Sequence, residues 1–127
     1  QQVTEAPIRI KEVALRVGAP AVCGVQASRD VDQRNDKIPE MRDAQWASSI
    51  EQTCDKVFSL WRPARDFPIG HIIPAESGKE YKTEETLLFI RLLKQRGDQG
   101  RFTWALYFDP AYLRLAELEV KNLGSAF

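Results

Sequence analysis

Metal-binding residues are scarce in this chain of 127 residues, which has one histidine, His71, and two cysteines, Cys23 and Cys54, with no CxxC spacing. That leaves a zinc centre of the usual Cys and His type without support, and no metal ligand is proposed. Both cysteines lie in apolar segments, which predicts a reduced, buried pair rather than a disulfide. No apolar run approaches the roughly 18 residues of a membrane span. The first residues also lack a charged, apolar, small-residue leader, so the expectation is a cytoplasmic protein with no membrane partner. Net charge is missing too, eighteen basic residues being balanced by eighteen acidic ones. Strong non-specific nucleic-acid binders carry a basic excess, so any DNA contact has to come from local patches or from several copies together. Finally, there is no glycine-rich phosphate loop. Gly78-Lys79 has neither the preceding glycine at the right spacing nor a following hydroxyl.

What is present is the material of a single domain, residues 1–127. Apolar residues make up 43% and charged residues 28% of it, a globular balance. Residues 1–7 read as a lead-in loop. Ile10, Val13, Ala14 and Val17 then follow helical spacing, with Glu12 and Arg16 paired on the outer side. Gly18 ends this helix and Pro20 prevents its continuation. The apolar run 20–25 predicts a buried parallel strand, and a helix leading into such a strand points to an α/β layer architecture. Residues 26–39 form a polar loop, which reads either as a mobile connection or as a surface facing a ligand or polymer. Asp43 or Ser48 caps a helix running to about Cys54, with Ser48 and Glu51 at capping-box spacing. Residues 56–61 predict a strand, and residues 62–85 a long loop or insertion with little periodicity. Residues 86–93 are a strand interrupted by Arg91. Phe102, Trp104, Leu106 and Phe108 alternate with Thr103, Ala105 and Tyr107 in the next strand, which makes the two a hairpin. Residues 112–118 supply an edge strand.

Lys94-Gln95-Arg96 closes the first strand of that hairpin. Alternation places both cations on one side, at a rigid strand end from which they can reach an anion. A guanidinium that crosses a subunit boundary to a γ-phosphate stabilises phosphoryl transfer; a pair of solvated charges beside a turn is the plainer reading. Gln26 follows the predicted buried strand, at the end that faces the ligand crevice in an open α/β sheet. Its amide reads either as a phosphate sensor or as a simple cap on the strand, and Ser28 and Arg29 open the loop beyond it.

Taken together these segments resemble the C-terminal part of the RecA-like motor domain of DnaB-type replicative DNA helicases. The matching pieces are Ile10-Lys11-Glu12-Val13-Ala14-Leu15, Gly18-Ala19-Pro20-Ala21-Val22, Gln26-Ala27-Ser28-Arg29, Gln33-Arg34-Asn35-Asp36-Lys37, Ser49-Ile50-Glu51-Gln52 with Asp55-Lys56-Val57, and Lys94-Gln95-Arg96 with Gly100. They occur in the order the family shows, over residues 8–108. The family's Asp-Leu-Arg-Glu-Ser-Gly reads Asp43-Ala44-Gln45-Trp46-Ala47-Ser48 here, the turn after Arg96 is one residue shorter, and residues 62–85 have no match.

The resemblance implies a fold, a set of partners and roles for residues. The fold is a partial RecA-like sheet with flanking helices and a C-terminal β-hairpin, lacking the phosphate-loop half. Arg96 would be a finger reaching the nucleotide of a neighbouring subunit, with Lys94 beside it and Gln26 facing the γ-phosphate. Gln45, Trp46 and Ser48, with Arg29 and Arg34, would face single-stranded DNA in the channel of a hexamer; Trp46 either stacks on a base or packs against its own loop. ATP and Mg²⁺ belong to the complete assembly, and the partner is a homo-oligomer or the phosphate-loop part of a helicase. The phosphate loop, catalytic acid and Mg²⁺ ligand would precede Gln1, so these residues alone are not expected to hydrolyse ATP. Two other readings stand beside the motor fragment: an inactive helicase-derived interaction or regulatory module, and an unrelated small α/β domain. An incomplete sheet should also expose an apolar face or strand edge that needs a cover.

Overall fold

The structure, a computed structural model, describes residues 2–34, 36–75, 78–97 and 102–118. Its centre is a four-stranded antiparallel sheet in the order β1-β4-β5-β6, with β1 at Lys56–Trp61, β4 at Leu87–Gln95, β5 at Phe102–Asp109 and β6 at Arg114–Glu117. The predicted hairpin is present, Leu87 opposite Tyr107 and Leu92 opposite Phe102. The predicted edge strand is β6. Of the turn between β4 and β5, Arg96 and Gly97 lie within the described residues, Gly97 with φ +82.

Residues directly opposite one another in the ladder share a face of the sheet. One face carries Trp61, Phe89 and Ala105, which are buried with Leu87, Ile38 and Ile73 in the core. The cover over this core is the 62–85 excursion, which is far more ordered than its composition suggests. It forms a 3₁₀ turn at Pro63–Arg65 and a small hairpin of β2, Ile72–Pro74, and β3, Glu80–Lys82. Ile73, Phe67 and Tyr81 reach from it onto the sheet. The opposite face carries exposed apolar residues, Phe58 at 52%, Leu60 at 60% and Phe102 at 47%, although Leu88 and Leu92 on it are buried. Part of this face is thus uncovered.

Two helices precede the sheet in sequence, and they pack on one another. α1, Gln2–Val17, begins well before the predicted start and continues through Pro7. Apolar periodicity begins only at Ile8, so the pattern misses the helix's first part, and Pro7 removes a rung without stopping it. The end is as expected: Gly18 takes φ +69, and the Ala19 amide donates to the Ala14 carbonyl at 3.1 Å, closing a Schellman-type cap. α2 spans Ala47–Thr53. Its cap is Trp46 rather than Asp43 or Ser48, so the Ser48–Glu51 box is not used.

The clearest departure is at residues 20–25, which form no strand and are exposed, Val22 to 98%. A parallel strand needs neighbours for its amides and carbonyls, and no described strand lies beside this segment. Cys23 is accordingly exposed, not buried; Cys54 is half-buried, and both are free thiols. No helix among the described residues is long and apolar enough to cross a membrane.

Candidate functional site

The polar segment after residue 25 is built rather than loose. Ser28 caps a 3₁₀ helix, Arg29–Gln33, by accepting from the Asp30 amide at 3.2 Å, and Val31 and Ile38 are buried beneath the segment. A second 3₁₀ turn, Met41–Asp43, follows. Asp43 is the hub: its carboxylate takes Nη1 of Arg34 at 3.0 Å and Nη2 at 2.6 Å, plus the Glu40 amide at 2.7 Å. Such a bidentate pair is among the stronger charge-assisted contacts. Arg34, a DNA-facing candidate, thus spends its guanidinium within the loop, whereas Arg29 is exposed at the start of the 3₁₀ helix.

Gln26 and the candidate DNA-facing residues meet through the backbone. The Gln45 amide donates to the Gln26 carbonyl at 3.3 Å, Ala27 bridges Ala44, and the Ser28 amide donates to the Asp43 carbonyl. Gln26 and Gln45 themselves are exposed. Next to them Trp46 adopts φ 62 and ψ 36, a left-handed conformation that is costly for a bulky side chain. It persists here because both neighbours are fixed: Gln45 by the Gln26 pairing, and α2 by the Ile50 amide donating to the Trp46 carbonyl at 3.0 Å. Ser48 is exposed in the first turn of α2.

The other end of α2 receives the cations. Lys94 Nζ donates to the Glu51 carbonyl and Lys11 Nζ to the Thr53 carbonyl at 2.8 Å, which places positive charge at the helix C-terminus, where it is favoured. Arg96 sits just beyond β4; its amide donates to the Asp55 carbonyl at 2.8 Å and its Nε pairs with Asp55 Oδ1 at 2.8 Å. Lys94 and Arg96 do turn to one side, towards the α2–β1 junction. A β-bulge between Val57 and Phe58 leaves Leu93 without a register partner and re-aims the end of β4. Asp55 is held below its ordinary 3.8, first by the Lys11 hydrogen bond and charge, then by Arg96 and Lys94. The Arg96–Asp55 pair is solvent-exposed on both sides, so it holds the guanidinium weakly.

Sequence reasoning missed two elements of this arrangement. Asp55 is visible only as part of a motif, and Arg91 only as an interruption of a strand. Arg91 is in fact buried beside Asp36 and Glu40, and a lone cation in an otherwise apolar strand is the signal for such pairing. A shallow groove of about 560 Å³, lined by Leu60, Trp61, Arg62, Leu88 and Phe108 among others, lies at the opposite end of β1 from Lys94 and Arg96. It takes no part in this site.

Asp43 supplies a pH signature. Burial pushes its carboxyl up, but the Arg34 hydrogen bonds, the Glu40 amide and the Arg34 and Arg42 charges outweigh this and hold it below 3.8. A depressed folded value means that the stabilisation is present above about pH 4 and is lost as pH falls through the folded value. Asp43→Asn is therefore expected to lower stability by about 2 kcal/mol at neutral pH. The gap to the unsubstituted chain should close in acid below about pH 4, as denaturant melts across pH would record. A gap that is independent of pH would show that the carboxylate charge is not what holds the loop.

The fold has close counterparts among solved proteins. One solved ATPase domain superposes over 93% of this chain and 37% of its own length, with a TM-score of 0.70 at 22% identity. A DnaB-like replicative helicase, solved in a study of its interactions with primase, covers 91% of this chain with a TM-score of 0.69, also at 22% identity. These define the class: the fold is that of a RecA-like helicase ATPase domain, in part. The family follows from sequence, where the DnaB-like helicase C terminal domain matches residues 1–117. The chain belongs to that family. Among similar proteins, the replicative DNA helicase DnaC of Bacillus subtilis is 40% identical over 62 residues, which is 49% of this chain and 14% of that protein. The replicative DNA helicase DnaB of Rickettsia prowazekii is 27% identical over 98% of this chain and 26% of its own length. The chain thus spans about a quarter or less of these relatives.

Proposed function

We propose that residues 1–127 are the portion of a cytoplasmic replicative helicase motor that joins a DNA-facing segment to cations acting on a neighbour's nucleotide. The observation that carries this reading is the backbone pairing of residues 26–28 with residues 43–45. It places the candidate phosphate sensor, Gln26, against the segment that bears Gln45 and Trp46. α2 then leads from that segment to the Glu51 carbonyl that holds Lys94.

Lys94 and Arg96 fit a phosphate group in charge and placement. Arg96 is exposed and only loosely paired, so a triphosphate can draw it away from Asp55. Residues 1–127 contain no phosphate loop. ATP and Mg²⁺ would therefore be held by another part of the assembly, with this chain supplying charge stabilisation to phosphoryl transfer. Joining residues 1–127 to a phosphate-loop part from a family member, then measuring ATP turnover with and without single-stranded DNA, tests the reading. DNA-stimulated turnover is expected, and its absence in a folded assembly would count against a motor.

On the DNA side, Trp46 is the candidate for stacking on a base. Trp46→Ala should weaken binding of the assembly to single-stranded DNA by about 5- to 150-fold, the 1–3 kcal/mol of one base stack. Unchanged binding would return Trp46 to a packing role. A second reading, a helicase-derived interaction module without turnover, is favoured by one observation, the open apolar face carrying Phe58, Leu60 and Phe102. A joined assembly that binds a partner but never turns over ATP would select it.

A further inference from the structure

Arg91 is 1% exposed in the middle of β4, three residues before Lys94. A buried cation is costly unless it is paired and hydrogen-bonded. Here it is well supplied. Nε donates to Thr103 Oγ1 at 2.8 Å, Nη1 to Glu40 Oε1 at 3.0 Å and Asp36 Oδ2 at 3.2 Å, and Nη2 to Asp36 Oδ2 at 3.2 Å. Thr103 is its cross-strand neighbour on β5. The two acids belong to the polar loop, 55 and 51 residues away in sequence.

Apolar residues in place of the whole ionic group would serve core stability about as well, since such replacements are often neutral. What the cation adds is a fixed seat for the loop. From there the contacts are continuous. The Glu40 amide donates to Asp43 Oδ2, and the Asp43 carbonyl accepts from the Ser28 amide. The Gln45 amide, two residues on, donates to the Gln26 carbonyl. The strand that carries Lys94 and leads into Arg96 is thereby tied by charge to the segment bearing Gln26, Gln45 and Trp46.

We infer that Arg91 is a positioning residue, an ionic joint that sets the DNA-facing segment on the strand carrying the candidate finger and couples the two. The coupling rests on the proposed motor function; the joint itself does not. Two measurements separate them. In the 127-residue chain, Arg91→Met should speed amide exchange at Ser28 and Gln45 by about tenfold or more while leaving the β4–β5 ladder amides nearly unchanged. Arg91→Lys, which keeps the charge but not the planar fork, should fall between. No change at Ser28 and Gln45, or an equal rise in the ladder, would overturn the joint.

In the joined assembly, Arg91→Met should lower the ratio of DNA-stimulated to basal turnover several-fold, whereas a purely structural role would lower both rates together. If the unsubstituted assembly shows no turnover, the motor reading fails and the exchange data still decide the joint. Should Arg91→Met not fold, the pair Asp36→Asn with Glu40→Gln removes the two charges that pair with Arg91 from the loop side and is judged by the same exchange criterion.

Discussion

Arg96→Ala, in an assembly that includes the phosphate-loop part, is expected to cut ATP turnover by about 10³- to 10⁵-fold, the usual worth of an arginine finger, while nucleotide affinity stays within a few-fold. The reasoning starts from placement. Arg96 stands one residue past a nine-residue strand whose end pairs with β1, and its own amide donates to the Asp55 carbonyl at 2.8 Å, so its Cα is held firmly. Its side chain is exposed and, among the described residues, pairs with Asp55, itself exposed, in a contact that water and salt weaken. A rigid base with a lightly held guanidinium suits a group that must leave its resting partner when a more highly charged one arrives. The binding energy of the nucleotide would come from elsewhere, so loss of Arg96 should appear in turnover and not in binding. Arg96→Lys should recover little, because the ammonium cannot present a planar pair of donors. Equal turnover in the Arg96→Ala and unsubstituted assemblies would remove the finger role. Loss of nucleotide affinity in step with turnover would instead make Arg96 a binding residue.

Legibility of the fold follows local periodicity. β1 and the β4–β5 hairpin are readable because apolar runs, the alternation of β5 and a glycine turn carry the signal within a few residues. The α1 terminus is readable from Gly18 and Pro20. The apolar run 20–25 has the composition of a buried strand, but a strand is defined by its ladder, and no described strand supplies one. Trp46 as a left-handed cap is set by the pairing of Gln45 with Gln26, a contact between segments that no local pattern encodes. The site is legible as a list of motif residues. Its arrangement is not: that α2 separates the Gln45–Trp46 end from the Lys94–Arg96 end depends on Lys94 reaching back 43 residues to the Glu51 carbonyl. Arg91 illustrates the same limit, since its partners Asp36 and Glu40 lie in a loop whose charges read equally well as solvated.

The 62–85 excursion shows what a pattern search cannot see, and it carries the second large prediction. Its strands, Ile72–Pro74 and Glu80–Lys82, are too short to display a period, yet they complete the core. Phe89 is the link. Fully buried on β4, it stacks on Trp61 with ring centroids 5.7 Å apart and meets Tyr81 of the excursion edge-on at 5.4 Å. Trp61 in turn meets Phe67 edge-on at 6.1 Å, and its Nε1 donates to Asp66 Oδ2 at 2.7 Å, so both ends of the excursion converge on this aromatic group. Phe89→Ala should therefore cost about 3–5 kcal/mol, the lost transfer energy plus that of a cavity the sheet cannot collapse to fill. The β2–β3 amides should lose their exchange protection before those of β4 and β5, because a two-stranded hairpin has little stability without a surface to pack on. Melts of the two chains would give the size of the loss and residue-level exchange its order. A hairpin that stays protected while the main sheet opens would mean that the excursion folds on its own account and does not depend on the core it covers.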